Sequence, residues 1–299
     1  MTRVLLVDTQ VNDSLKPLYE RLVSRGSSLG CNIRWHADLS FDDYSCSDVI
    51  VLQHPCDALG FPDRRILGAR LLNRFERLCI AQDVGAPVAP FASPPTLDLA
   101  RDLFDIWGAE NIVFKADWSF RRKGVFLWKR GTDLVLPSTY APGADIFMPT
   151  LLDDPATYKV DLFCGNVIAC RRVPTPPIHD PRFHDDSAPS DLLETQDWAA
   201  SFAEALGSML LSFGTGYFGI DFMRVGTKYW IVEINSCGVG RMNTWVRWPA
   251  AYIDRYADVL HNWSCQIVTV PTISESLAAC RRRFNPAGVG SSRHRGTSS

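Results

Sequence analysis

The chain has 299 residues, of which 46% are apolar and 21% charged, with a formal net charge of −2. That length implies roughly two domains with ample core. The near-neutral balance gives no sign of a basic nucleic-acid face or a polybasic membrane patch, and no apolar run reaches the length of a membrane span.

RVLLVDT (3–9) predicts a first strand. The opening residues enter it directly and lack the apolar region and cleavage site of a signal peptide, so a cytoplasmic chain is expected. SLKPLYERLVSRGSS (14–28) predicts a helix, and CNIRWHA (31–37) and DVIVLQH (48–54) predict further strands. Strand–helix–strand order argues for a parallel sheet. RRILGARLLNRFERLCIAQDVG (64–85) reads as one long helix with Gly85 at its end. The Pro-rich APVAPFASPP (86–95) is the first expected boundary. TLDLARDLFDIWG (96–108) is a short helix with Thr96 as N-cap.

Strands then dominate. NIVFKA (111–116) and GVFLWKR (124–130) bracket a polar, basic connection, DWSFRRK (117–123). DIFMPTLL (145–152), YKVDLF (158–163) and NVIACRRV (166–173) follow, the last two joined by a tight turn at Cys164-Gly165. Residues 174–191 form a long loop rich in Pro and Asp. Residues 197–213, 251–262 and 273–284 have helical patterns, and the tail 285–299 is expected to be disordered.

Nine cysteines are scattered without C-x-x-C, which reads as free thiols of an intracellular protein. His179 and His184 flank HDPRFH, a solvated loop before a substrate loop, and a zinc site last. Gly214, Gly216 and Gly219 spell G-x-G-x-x-G, the fingerprint of a dinucleotide oxidoreductase. They follow a helix and enter a strand, however, whereas a phosphate-cradling loop must follow a strand and open a helix. A helix C-cap and turn is the better reading.

The chemistry concentrates in GIDFMRVGTKYWIVEIN (219–235). Glu233 and Asn235 are two apart on a strand and share a face, with Trp230, Val232 and Ile234 on the core side. A three-residue loop, 226–228, puts Asp221 opposite Glu233. Two carboxylates that close repel, and a hard cation such as Mg²⁺ resolves the conflict; the competing reading is the exposed polar face of a surface hairpin. Lys115 ends an apolar strand, where a snorkelling surface lysine is the ordinary expectation. The basic RRKG (121–124) just beyond it suits a phosphate cover, and Arg171 and Arg172 add charge from another strand. A P-loop and protein-kinase motifs are absent from the sequence.

Together these residues resemble the ATP-grasp superfamily over roughly residues 3 to 245. The matching elements are Arg74 before a G-x-P turn, Lys115 in VFKA, SFRRKGV with Lys123 and Gly124, the hinge strand IFMPTLLDD, TYKVDLF, Arg171, and D-x11-E-x-N at Asp221, Glu233 and Asn235. Arg74 and Lys159 stand where the family has Lys and Arg, and the phosphate loop carries one glycine instead of several. The resemblance implies an α/β (α+β) ATP-grasp fold. Residues 1–90 would form a Rossmann-like pre-domain and 91–152 a small subdomain, with 153–284 as the C-terminal subdomain and ATP between the two subdomains. It also implies a ligase that activates a carboxylate with ATP for attack by a nitrogen nucleophile, within one molecule or between two. Asp221, Glu233 and Asn235 would hold two Mg²⁺ ions. Arg74, Lys115, Lys123, Gly124, Met148, Leu151 and Asp153 would bind ATP, and Lys159, Arg171 and Arg241 would act on the substrates. The implied partner is a small amino-acid-like molecule bound by a monomer or homodimer, with no nucleic acid and no membrane. A nucleotide-binding regulator that has lost turnover is the reading from another class.

Overall fold

The computed structural model describes residues 2–7, 16–36, 41–52, 66–67, 72–120, 123–150, 156–163, 166–174, 191–193, 206, 217–235 and 249–265. The expected helices 197–213 (apart from Leu206) and 273–284, the Cys164-Gly165 turn, most of loop 174–191, Gly214, Gly216 and the tail lie outside them.

The first sheet holds β1 (Arg3–Val7), β2 (Asn32–His36), β3 (Val49–Leu52) and β4 (Ile66–Leu67), all parallel, in the order β2-β1-β3-β4. Helix α1 (Lys16–Ser28) links the first two strands and a short α2 (Phe41–Cys46) precedes the third. Val4, Leu6, Ile33 and Val51 pack with Tyr19 and Leu22 of α1. Helix α5 (Pro249–Cys265) joins this core through Ile253, Tyr256 and Leu260.

The expected helix over 64–85 is in fact two elements. Ile66 and Leu67 extend the sheet beside β3, and α3 spans Arg74–Asp83. The reason is a start signal inside the periodic run. The Asn73 side chain accepts from Glu76 N–H while the Glu76 carboxylate accepts from Asn73 N–H, a capping box. The Pro-rich segment 86–95 is tied to two strands by backbone bonds. Ala89 N–H donates to Ile231 and Ile231 N–H to Pro87, while Ala92 and Phe147 exchange both backbone bonds.

Helix α4 (Leu97–Ile106) is capped by Thr96 as expected. It covers a sheet of order β6-β5-β7, built from β5 (Asn111–Phe120), β6 (Lys123–Lys129) and β7 (Ile146–Pro149). The expected loop 117–123 is mostly strand: β5 runs on to Phe120, which pairs with Lys123. A third sheet, antiparallel, has the order β10-β9-β8-β11-β12. Its strands are β8 (Ala156–Phe163), β9 (Asn166–Pro174), β10 (Asp191–Leu193), β11 (Tyr217–Val225) and β12 (Lys228–Asn235). Tyr158, Val160, Leu162, Phe218, Ile220 and Phe222 point from it into a core shared with α3 and β7. Residues alternating with these face the other way and carry the charges.

No helix among the described residues is long and apolar enough to cross a membrane. Among the described residues, Cys31, Cys46, Cys79 and Cys170 form no disulfide.

Candidate functional site

Val225 pairs with Lys228, so the β11–β12 hairpin turns on two residues, Gly226 and Thr227, and not on the expected three. Gly226 has φ +59°, as the first position of a primed turn requires. Asp221 nevertheless faces Glu233. Phe222 pairs with Ile231 and Asp221 with Glu233, which leaves Val232 as an extra residue in a β-bulge. In an unbroken ladder Asp221 would meet Val232. The bulge therefore turns Glu233 to the polar face while Ile231, Val232 and Ile234 all stay in the core, with Trp230 packed at its edge.

The register builds a row across four strands: Arg171, Lys159, Asp221 and Glu233 stand directly opposite one another in turn. Two residues along on the same face lie Ala169, Asp161, Gly219 and Asn235. A Cβ on Gly219 would sit 3.6 Å from Asp161 Oδ1 and 3.9 Å from the Asn235 Cβ, at ordinary contact distance. Gly219 thus leaves a shallow gap between Asp161 and Asn235.

Within these rows charges are paired. Lys159 Nζ lies 2.7 Å from Asp221 Oδ2. Arg171 Nη2 donates to Asp161 Oδ2 at 3.1 Å, and both side chains are buried. The β5 sheet and α3 supply cations from the other side. Lys115 Nζ donates to the bulge carbonyl of Val232 at 3.1 Å and lies 3.6 Å from Glu233 Oε2. Arg74, the first residue of α3, donates from Nη2 to Glu233 Oε1 at 3.1 Å and from Nη1 to the Ala116 carbonyl. Its backbone N–H donates to Asp117 Oδ1 at 2.5 Å, and Asp117 N–H donates to Asp145 Oδ1 at 2.7 Å. Arg77 stands 3.8 Å from Asp117.

The electrostatics follow from burial and these neighbours. Burial opposes ionisation of Glu233, but Arg74, Lys115, Lys159 and Arg77 outweigh it and hold the pKa at about 2. Asp221 moves the other way: burial, reinforced by Glu233 opposite, raises its pKa despite Lys159. Burial likewise lowers the pKa of Lys115 against the pull of Glu233. A cation placed between the two carboxylates would relieve their repulsion.

Arg74, Lys115, Lys159, Asp221 and Glu233 thus form one connected cluster, with Asn235 on the same face. Arg171 is in the row but its guanidinium is turned to Asp161. Met148 is a buried core residue of β7. Gly124, with φ +83°, and Lys123 lie on β6, Lys123 pairing with Phe120 at the hairpin end. Leu151, Asp153 and Arg241 lie outside the described residues. Sequence reasoning missed Asp117 and Asp161. Asp161 was accessible through its two-residue spacing from Lys159; Asp117, two after Lys115, looked like part of a loop.

No family model and no curated protein matches this sequence. Solved structures do. A D-cycloserine synthetase, DcsG, matches with 16% identity and a TM-score of 0.56, over 88% of this chain and 99% of its own. The ATP-grasp ligase PsnB, solved with a precursor variant, Mg and ADP, matches with 14% identity and a TM-score of 0.58, over 88% and 99%. A D-alanine–D-alanine ligase from Bacillus anthracis, solved with ATP, matches with 12% identity and a TM-score of 0.52, over 96% and 100%. The chain has the ATP-grasp fold.

Proposed function

We propose that the chain is an ATP-dependent ligase that joins a carboxylate to a nitrogen nucleophile. One observation carries this reading: in an ATP-grasp fold, a row of Lys159, Asp221 and Glu233 on one sheet is met by Lys115 from another sheet and by Arg74 from α3. The donor set suits Mg²⁺, a hard cation that takes carboxylate and amide oxygens together with phosphate. Asp221, Glu233 and Asn235 would hold two such ions. When bound, they offset charge on the phosphates of ATP during transfer.

The chain's own groups do the rest. Lys115 and Lys159 have neutral or anionic partners in this structure and turn to the phosphates when a nucleotide brings its own anions. Lys123 and Gly124 sit at the hairpin tip that would cover them. Leu151 would line the adenine side, with Met148 packed in the core behind it, Asp153 the ribose, and Arg241 the substrate carboxylate. Arg171 supports the row through Asp161. The substrate carboxylate oxygen attacks the γ-phosphorus and the bond to the bridging oxygen breaks, releasing ADP. The nitrogen nucleophile then attacks the acyl carbon and gives up a proton, and phosphate leaves with its oxygen. Positive donors stabilise both charge-accumulating steps.

The likeness to a D-cycloserine synthetase supports starting with O-ureido-D-serine, in which carboxylate and nucleophile belong to one molecule. The likeness to a D-alanine–D-alanine ligase supports an intermolecular alternative. ADP release with a panel of amino acids, each with and without an added amine, separates them. O-ureido-D-serine alone should release ADP if the ring-closing reading holds. Release only with a second amine favours the alternative, and nucleotide binding without release under any pairing leaves a regulator.

A further inference from the structure

We propose that Arg74 is a positioning residue for Glu233 and not a phosphate ligand, an inference that rests on the ATP-binding reading above. Its guanidinium holds Oε1 of Glu233 and so presents Oε2 to the metal–nucleotide complex. Accessibility separates it from the other cations. The Arg74 side chain is 2% exposed, against 15% for Lys115 and 29% for Lys159. A group that receives phosphate must be reachable, and Arg74 is not.

Its contacts explain why. Nη1 rests on the Ala116 carbonyl of β5, Nη2 on Glu233 of β12, and the backbone N–H on Asp117. The two guanidinium contacts, one on each of two sheets, fix the fork in place, and the backbone bond anchors the start of α3. The planar guanidinium spans both acceptors at once; a lysine, with one point charge, cannot. Lys115 approaches the other Glu233 oxygen at 3.6 Å, a looser contact, while keeping the Val232 carbonyl at 3.1 Å. When Lys115 turns to phosphate, Oε2 is the oxygen released and Oε1 stays with Arg74. The bulge at Val232 aims Glu233, and Arg74 holds it there.

The test is calorimetric titration of the full chain with ADP, with and without Mg²⁺, for wild type, Arg74→Lys, Arg74→Met and Glu233→Gln. A residue acting through a metal ligand changes the Mg²⁺-dependent part of affinity, typically by roughly 10–100-fold. Arg74→Lys should therefore weaken ADP binding by roughly tenfold or more with Mg²⁺ and leave the Mg²⁺-free affinity nearly unchanged. Adding Arg74→Met to Glu233→Gln should cost nothing further. Equal loss with and without Mg²⁺ would make Arg74 a phosphate contact and overturn the inference. Thermal melting checks the fold of each variant; should Arg74→Met not fold, Arg74→Lys, which keeps the charge, decides alone. A wild-type chain that binds no ADP with Mg²⁺ overturns the ATP reading itself, an outcome distinct from wild-type binding with equal losses in the variant.

Discussion

Arg171→Met should destabilise the protein more than it impairs nucleotide binding. Arg171 and Asp161 face each other at 3.1 Å with side chains 2% and 1% exposed. Removing one partner of such a pair leaves the other charge buried and costs about 3–5 kcal/mol. The unfolding entropy of a 299-residue chain is about 630 cal/mol/K, taking about 2.1 cal/mol/K per residue. The expected fall in Tm is therefore about 5–8 °C. Adding Asp161→Leu removes the other charge of the pair and should recover part of the loss, because replacing both partners with apolar groups is often neutral. Differential scanning calorimetry of wild type, Arg171→Met and the double variant reads this directly, with ADP titration alongside. If Arg171→Met melts like wild type but loses turnover, Arg171 acts on the substrate, and the reasoning from its burial against Asp161 fails.

Glu233 makes stability depend on pH. Its folded pKa, about 2, lies below its ordinary value of 4.5. The stability it contributes is present above 4.5 and is lost as pH falls through about 2, on the order of 3 kcal/mol in all. Urea denaturation at stepped acidic pH should show a steeper loss in wild type than in Glu233→Gln; parallel curves would contradict the cation cluster around it. Asn73→Ala removes the side-chain half of the capping box at the helix that carries Arg74, and should cost about 1 kcal/mol by the same assay. A loss within error would mean that the cap does not hold the start of α3.

The strands and their alternation were legible because each is short, bounded by turn residues and apolar on one face. The Asp221–Glu233 opposition was legible for the same reason, though by a route that does not exist. Turn length and bulge each shift the register by one residue, and the two shifts cancel. Nothing local reveals that, since Val232 is as apolar as the residues beside it. The break at Asn73 was readable from Asn73 and Glu76, yet the helical period across 64–85 outweighed it. Ile66 and Leu67 become strand only because β3 offers an edge. The reach of Arg74 to Glu233 spans 159 positions and belongs to tertiary packing alone. Arg171 looked like a free cation at the end of a strand because its partner, Asp161, lies across a hairpin.

In the proposed ligation a substrate carboxylate is activated by phosphorylation. The most direct test labels that carboxylate with heavy oxygen, beginning with O-ureido-D-serine, and analyses the phosphate released with Mg²⁺ and ATP by mass spectrometry. One labelled oxygen should move from carboxylate to phosphate for each ADP formed, and Glu233→Gln should abolish the transfer. ADP formed with unlabelled phosphate would contradict it, because ATP would then have been hydrolysed without an acyl phosphate.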